Sequence, residues 1–193
     1  LLSQWRGMSK ETMILAGVAT MYLFSALTSM LQYVGEMEQV HSVVFWLMGS
    51  LERASWLRAG LVAVVVGVTV PWMYALSWDL NAMASGDEAA RSLGVSPRRV
   101  RTTGMFLASL ATAAVICFSG TIGFVGLVAP HISRMLVGVD HRFHMPASLL
   151  TGAAILVGAD LAARTVFAPH VLPLGIMTSC VGVPFFFYLV VRH

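Results

Sequence analysis

The apolar residues of this chain fall in long blocks, and short polar segments separate them. Blocks of this kind predict helices, because a membrane barrel would alternate apolar and polar residues. A helix needs about 20 apolar residues to cross a hydrocarbon core about 30 Å thick. The pattern predicts six candidate spans, one of them short, at about residues 13–34, 56–78, 103–119, 124–136, 146–167 and 174–191.

The apolar run 105–135 is too long for one untilted crossing, so the chain either crosses once or turns at 119–121 and crosses twice. Two crossings put nine of the 12 lysines and arginines on one side and leave only Arg53, Arg58 and Arg164 on the other. One crossing divides them seven against five. Because positive charge concentrates on the cytoplasmic side, the sequence predicts two crossings and places both ends of this fragment in the cytoplasm.

Composition excludes a soluble domain, since hydrophobic residues make up 58% and charged residues only 11% of the chain, against about a quarter charged in soluble domains. The net charge of +3 comes from arginines in short loops, which indicates membrane orientation and not nucleic-acid binding. The sequence has no phosphate-binding loop, no serine elbow and no His-Glu-x-x-His motif. Its histidines lack the spacing of metal ligands. We therefore expect a non-enzymatic subunit without metal or cofactor, which draws any ATP energy from another chain.

The longest predicted cytoplasmic loop, 79–101, has the composition of helices and not of a linker. Asp87 is predicted to cap a short helix, with Glu88 in its first turn and Gly94 just past its end. Pro97 is a favourable first-turn residue for the next span. Two short helices on this face could form a docking platform for a partner or an ordinary interfacial connection, and the residues alone leave both interpretations open.

The predicted outer loop, 35–55, contains an apolar, aromatic-rich stretch at 43–48 that is too short to span a membrane. A short helix in or near the outer interface is therefore predicted. It could act as a lid over a pathway or serve as a packed connection.

Asp160 and Arg164 lie four residues apart in the fifth predicted span, so they share a helix face and are predicted to pair. Charges within a membrane segment are costly and usually face protein, water or each other. Arg164 lies near the predicted outer end, where it either anchors the helix or presents positive charge to an external partner.

Several short motifs carry a family resemblance when they are taken in order: LAGV at 15–18, FWLMGS at 45–50, SLGV at 92–95, GTIGFVGLVAPHISR at 120–134, ADLAAR at 159–164, LPLGIMT at 172–178 and GVPF at 182–185. This series resembles the FecCD-type permeases, the membrane subunits of ABC importers for iron-siderophores, haem and cobalamin. The resemblance implies an all-α polytopic membrane protein. Its six transmembrane helices would be the C-terminal part, the fifth to tenth spans, of a ten-helix permease with short cytoplasmic coupling helices.

The resemblance also implies roles for individual residues. Arg164 would bind a glutamate of a periplasmic or lipid-anchored substrate-binding protein. A second permease subunit would complete the translocation pathway, for which the candidates in or near the first span are Ser9, Thr12, Ser25 and Ser29. The residues expected to couple the permease to a separate ATP-binding subunit are Asn81, Ser85, Glu88, Ala90, Arg91, Leu93 and Gly94.

The function implied is ATP-driven import of an iron-siderophore or related metal chelate across the plasma membrane of a prokaryote, in contact with lipid and not with nucleic acid. Lys10 and Glu11 stand where cobalamin-type permeases carry small hydroxyl residues, which is evidence against cobalamin. The FWLMGS run at 45–50 resembles the iron-chelate members of the family. The alternative is an ion-coupled secondary transporter, which needs ionisable residues near mid-membrane. Asp160 is the one such residue, and it has a predicted partner.

Overall fold

A computed structural model describes residues 10–52, 54–166 and 171–192, and within these ranges the chain is helical and contains no strand. The helices are α1 Lys10–Val34, α2 Met37–Leu47, α3 Trp56–Ala75, α4 Ser77–Ala84, α5 Asp87–Ser92, α6 Pro97–Ser119, α7 Val125–Val137, α8 His141–Thr165 and α9 Leu174–Arg192. The predicted all-α class is confirmed.

Four helical segments of the described chain are long and apolar enough to cross a membrane: Ile14–Val34, Trp56–Ala75, Pro97–Ser119 and His141–Thr165. Two further apolar helices, Val125–Val137 and Leu174–Phe187, are shorter. The boundaries of the six predicted spans within a membrane stay a prediction.

The chain divides into two compact units, Leu1–Phe45 and Trp46–His193. In the first unit, α1 ends at a turn in which the Gly35 N–H donates to the carbonyl of Leu31 at 2.9 Å. The helix predicted in the loop 35–55 is present as α2. Its aromatic side includes a tilted contact between the rings of His41 and Phe45, whose centroids lie 4.5 Å apart.

In the second unit, polar residues and glycines set the helix ends. The side chains of Ser55 and Asp140 cap α3 and α8 by accepting hydrogen bonds from the backbone N–H groups of Arg58 and Arg142. The apolar run 105–135 breaks where predicted, because α6 ends at Ser119 and Gly120 follows with φ +69. A residue with a side chain would be strained in that conformation.

The helix connections of this unit gather at two opposite ends. At one end, the Ser50 N–H donates to the carbonyl of Ser119 at 2.8 Å, and the Leu174 N–H donates to the carbonyl of Gly49 at 2.9 Å. At the other end, Asn81 donates to Asp140 at 2.7 Å. This places the α3–α6 and α7–α8 connections together, which requires α6 and α7 to run in opposite directions. A single continuous crossing by 105–135 would have separated them.

One predicted helix cap is wrong. Gly86, with φ +107, occupies the N-cap of α5, and Asp87 is already inside the first turn. The first helical carbonyl is that of Gly86, which accepts from the Ala90 N–H at 3.0 Å, so Asp87 lies one residue too late to be the cap. Its carboxylate pairs with Arg101 of α6. The predictions for Glu88 in the first turn and Gly94 after the helix end are confirmed.

Small residues allow α7 and α8 to pack closely. Ala129 and Ser133 of α7 are buried, and a Cβ built on Gly152 of α8 would meet the Cβ of Ala129 at 3.6 Å. The Ser133 hydroxyl donates to the carbonyl of His144 at 3.1 Å. A buried hydroxyl is thereby satisfied by the backbone of the neighbouring helix.

Candidate functional surfaces

The segment of α4 and α5 presents five of the seven predicted coupling residues to the exterior: Ser85, Glu88, Arg91, Leu93 and Gly94. We call this group the α4–α5 surface. Its composition is mixed, since Glu88 and Arg91 carry opposite charges and Leu93 leaves 70% of its surface exposed. Single exposed leucines are common on protein surfaces, so the binding role of this surface stays a prediction.

Asn81 and Ala90, the other two predicted coupling residues, are not exposed, and together with Gly94 they shape this segment. Ala90 is fully buried, and its carbonyl accepts hydrogen bonds from the N–H groups of Leu93 and Val95 at 3.2 and 2.9 Å. Gly94 adopts φ +83 in open space. Asn81 is half-buried and directs its carboxamide at Asp140.

An ion pair fixes α5 to α6. Both carboxylate oxygens of Asp87 accept hydrogen bonds from the guanidinium of Arg101, at 2.6 and 2.9 Å. The pair is partly exposed, with 22% of the Arg101 side chain and 39% of the Asp87 side chain accessible. This bidentate geometry restrains the angle of α5 as well as its position.

Hydrogen bonds hold the pKa of Asp140 below the ordinary value of an aspartate carboxyl group. The main cause is the backbone N–H of Arg142, followed by the side chain of Asn81. Hydrogen bonds donated to a carboxylate favour its charged form. The N-cap of α8 is therefore negative at neutral pH, which also suits the positive end of the helix dipole.

At the opposite end of α8, the predicted pairing of Asp160 with Arg164 is confirmed. The guanidinium donates from Nε to Asp160 Oδ2 at 2.8 Å and from Nη2 to Asp160 Oδ1 at 3.2 Å. The Arg164 side chain remains 47% exposed, so it can still contact another molecule at this end.

Three glycines bring backbone segments into direct contact at this same end, and we call their contacts the glycine junction. A Cβ on Gly49 would meet the carbonyl of Thr121 at 2.5 Å, while a Cβ on Gly120 or Gly175 would overlap the carbonyl of Trp46 or Met48. Thr121 adds a hydrogen bond from its hydroxyl to the carbonyl of Leu47. The junction joins the segment 46–50 to the α6–α7 turn and to the start of α9.

The pathway candidates of α1 do not form one group. Ser25 and Ser29 are exposed and lie one turn apart on one face. Thr12 is partly exposed and lies about 140° around the helix from Ser25 at 3.6 residues per turn. Ser9 lies outside the described residues.

Sequence reasoning missed the residues that attach α4 to the start of α8. Asp140, His141 and Arg142 precede the predicted span 146–167, and α8 begins five residues before it, at His141. An aspartate immediately before a helix is a capping signal that could have located this start. Its partner Asn81 could not have been found in this way, because the two residues are 59 positions apart.

Comparison with known proteins identifies the family of this chain. The sequence profile of the FecCD transport family matches residues 1–192. The cobalamin import system permease protein of Halobacterium salinarum is 43% identical over 180 residues, which are 92% of this chain and 47% of that protein. The hemin transport system permease protein of Yersinia pestis is 36% identical over 192 residues, which are 100% of this chain and 58% of that protein.

A solved structure is similar over most of the chain. It is an ABC transporter, assigned to the metal-chelate type, in an inward-facing conformation. The TM-score is 0.91 at 36% identity, and the match covers 96% of this chain and 60% of that one. The chain spans about half the length of the curated relatives it matches.

Proposed function

Because the chain belongs to the FecCD transport family, we propose that it is part of the permease subunit of an ATP-driven importer. The substrate would be an iron-siderophore or a related metal chelate. The observation that carries the proposal is the position of two candidate partner surfaces at opposite ends of one helical unit. The α4–α5 surface lies at the end where α8 begins, and Arg164 lies where α8 ends.

The α4–α5 surface is the proposed docking site for a separate ATP-binding subunit. The relatives are permease proteins of import and transport systems, so in this proposal the energy of ATP reaches the chain through contact with a separate ATP-binding protein. Glu88 and Arg91 of α5 supply two opposite charges, and Leu93 at its C-terminal end supplies an apolar contact. Binding and hydrolysis in the partner would then shift the permease between inward-open and outward-open states.

Arg164 is the proposed docking residue for a substrate-binding protein on the outer side. Its guanidinium is half-exposed while Asp160 holds it in one orientation. A guanidinium fixed in this way can donate hydrogen bonds to a second carboxylate at low entropic cost. Both ends of this fragment would then lie in the cytoplasm, and a second permease subunit would face the first across the pathway.

The substrate is proposed as a class, the metal chelates. The relatives compared above are named for cobalamin and for hemin, and the related structure is of the metal-chelate type. Within that class, Lys10 and Glu11 are evidence against cobalamin, and the FWLMGS run at 45–50 favours an iron chelate. The chelate retained by a binding protein that co-purifies with the complete permease would identify the substrate directly.

An ion-coupled secondary transporter is not favoured. Such a transporter needs a carboxylate within the membrane that can release a bound ion. Within the candidate span His141–Thr165 the acidic residue is Asp160, and both of its oxygens accept hydrogen bonds from Arg164.

The proposal is tested by ATP-driven uptake in vesicles that contain the complete permease, its ATPase and its binding protein. Arg91→Glu should lower uptake by about tenfold or more while ATP hydrolysis and insertion persist, since a reversed charge at an interface opposes docking. Arg91→Lys keeps the charge and serves as the control. Unchanged ATP-driven uptake by the Arg91→Glu variant would contradict the coupling role.

A further inference from the structure

The carboxamide of Asn81 joins α4 to the start of α8. Its Nδ2 donates to Asp140 Oδ1 at 2.7 Å, and its Oδ1 accepts from the backbone N–H of His141 at 2.9 Å. The ring atom Nδ1 of His141 also lies 2.8 Å from Asn81 Oδ1. Because the backbone N–H can only donate, the oxygen of the amide must face His141, and Nδ1 must carry a hydrogen.

Asp140 connects these bonds to the helix itself. The same carboxylate oxygen that accepts from Asn81 also accepts from the backbone N–H of Arg142 at 3.0 Å, and so caps α8. We call the hydrogen bonds among Asn81, Asp140 and His141 the Asn81 clasp. The clasp therefore holds the end of the α8 backbone and does more than join two side chains.

A second contact, three residues earlier on α4, acts in the same direction. The guanidinium of Arg142 lies over the ring of Trp78, 4.4 Å from its centroid, a geometry favourable for cation–π attraction. Trp78 and Asn81 lie on the same face of α4 because residues three apart are neighbours on a helix. Two independent contacts thus fasten one face of α4 to the first turn of α8.

Helix α8 then extends unbroken from the clasp to the outer docking candidate. Its 25 residues span about 37 Å at 1.5 Å per residue, with Arg164 in the last turn. Pro146 lies in the second turn and the helix continues on both sides of it, so the clasp and Arg164 belong to one continuous helical backbone.

We infer that the Asn81 clasp makes α4 and α8 move together, and thereby transmits a displacement of the α4–α5 surface to the end of α8 that carries Arg164. This inference rests on the proposed function and gives Asn81 a different part in it. Asn81 is a positioning residue whose side chain faces the start of α8, and in this inference it does not itself contact the ATP-binding subunit.

The clasp allows a test by exchange of its two partners. Asn81→Asp places a second carboxylate against Asp140, so the bond is replaced by repulsion. Asp140→Asn keeps an oxygen that can accept from Asn81 and cap α8, since Asn caps helices as well as Asp does. The double variant Asn81→Asp/Asp140→Asn restores one amide and one carboxylate, and the introduced carboxylate still accepts from both donors of His141.

These variants are made in the complete permease and compared for uptake and for ATP hydrolysis in the same vesicles. Asn81→Asp should lower the uptake per ATP hydrolysed by about tenfold, the effect of losing one strong hydrogen bond. Asp140→Asn should stay within about twofold of the wild type, and the double variant should recover most of the loss. Asp79→Asn, on the same helix outside the clasp, is the control for a change of charge.

Each outcome bears on the inference in a defined way. If Asn81→Asp lowers uptake and ATP hydrolysis in the same proportion, or if the double variant fails to recover the ratio, the clasp has only a structural role and the inference is overturned. Size-exclusion profiles of the purified variants identify any that fail to fold. If Asn81→Asp is one of them, the double variant is compared with the wild type for uptake per ATP hydrolysed. Absence of ATP-driven uptake by the wild type would instead overturn the proposed function, and the inference with it.

Discussion

Gly175 packs directly against the backbone of Met48, and its N–H donates to the carbonyl of that residue at 3.0 Å. A Cβ on Gly175 would overlap the same oxygen. The first turn of α9 and the segment 46–50 are therefore in contact through backbone atoms alone, and neither can retreat without breaking the hydrogen bond.

Gly175→Ala should destabilise the protein by about 1–3 kcal/mol, because overpacking of a tight contact forces the backbone to shift. Gly158→Ala is the matched control, since a Cβ at that helical position meets nothing within 4 Å. The control should be neutral or up to about 1 kcal/mol stabilising. Thermal unfolding midpoints in detergent measure the difference, and equal midpoints for the two variants would contradict the contact.

The ion pair between Asp87 and Arg101 should stabilise the attachment of α5 by about 1 kcal/mol, as expected for a partly exposed bidentate pair. Asp87→Ala and Arg101→Ala should each raise hydrogen exchange of the α5 amides. The double variant should add little beyond either single one, because both remove the same interaction. Fully additive effects would show that the two side chains act separately.

The lowered pKa of Asp140 makes the stability of the folded protein depend on pH in a defined direction. Because the folded pKa lies below 3.8, the stabilising effect of the carboxylate is fully present above the unfolded pKa and is lost as pH falls through the folded value. The stability difference between the wild type and Asp140→Asn should therefore stay constant from about pH 5 to 8. It should narrow only at strongly acid pH. A change in this difference between pH 6 and 8 would point to another titrating group.

Arg164→Glu should weaken binding of the substrate-binding protein most strongly at low ionic strength, because salt screens charges at an exposed interface. Arg164→Lys keeps the charge but loses the bidentate pairing with Asp160, so it should bind with intermediate affinity. Titrations at low and high salt measure the effect. Equal affinities of wild type and Arg164→Glu at low salt would refute the docking role.

Local sequence signals located the helices well and their ends less well. Long apolar blocks predicted the helical class, and Gly120 marked the break between α6 and α7. Helix α6 begins at Pro97, so the prediction of a first-turn proline there is confirmed. Helix α8 begins at His141, before its predicted span, because its first turn is polar and does not belong to the apolar block. The predicted cap at Asp87 is wrong because Gly86 occupies that position, and the Asp87 carboxylate pairs with Arg101, 14 residues away.

The candidate site was predictable where its residues interact locally. Asp160 and Arg164 pair because a helix places residues four apart on one face, and no tertiary information was needed. The short helices that form the α4–α5 surface were also predictable, because Gly86 and Gly94 mark the start and the end of α5. The inward direction of Asn81 and the burial of Ala90 depend on packing against distant segments, which no local pattern encodes.

The sequence alone determined that this protein is a bundle of apolar helices of the FecCD type, because hydrophobic block length and short motifs are local properties. Only the tertiary structure decided which connections meet. The glycine junction and the Asn81 clasp each join segments separated by dozens of residues, through backbone carbonyls and one carboxamide. Such contacts are not encoded by any periodic pattern in the sequence, since they depend on where complete helices end in space.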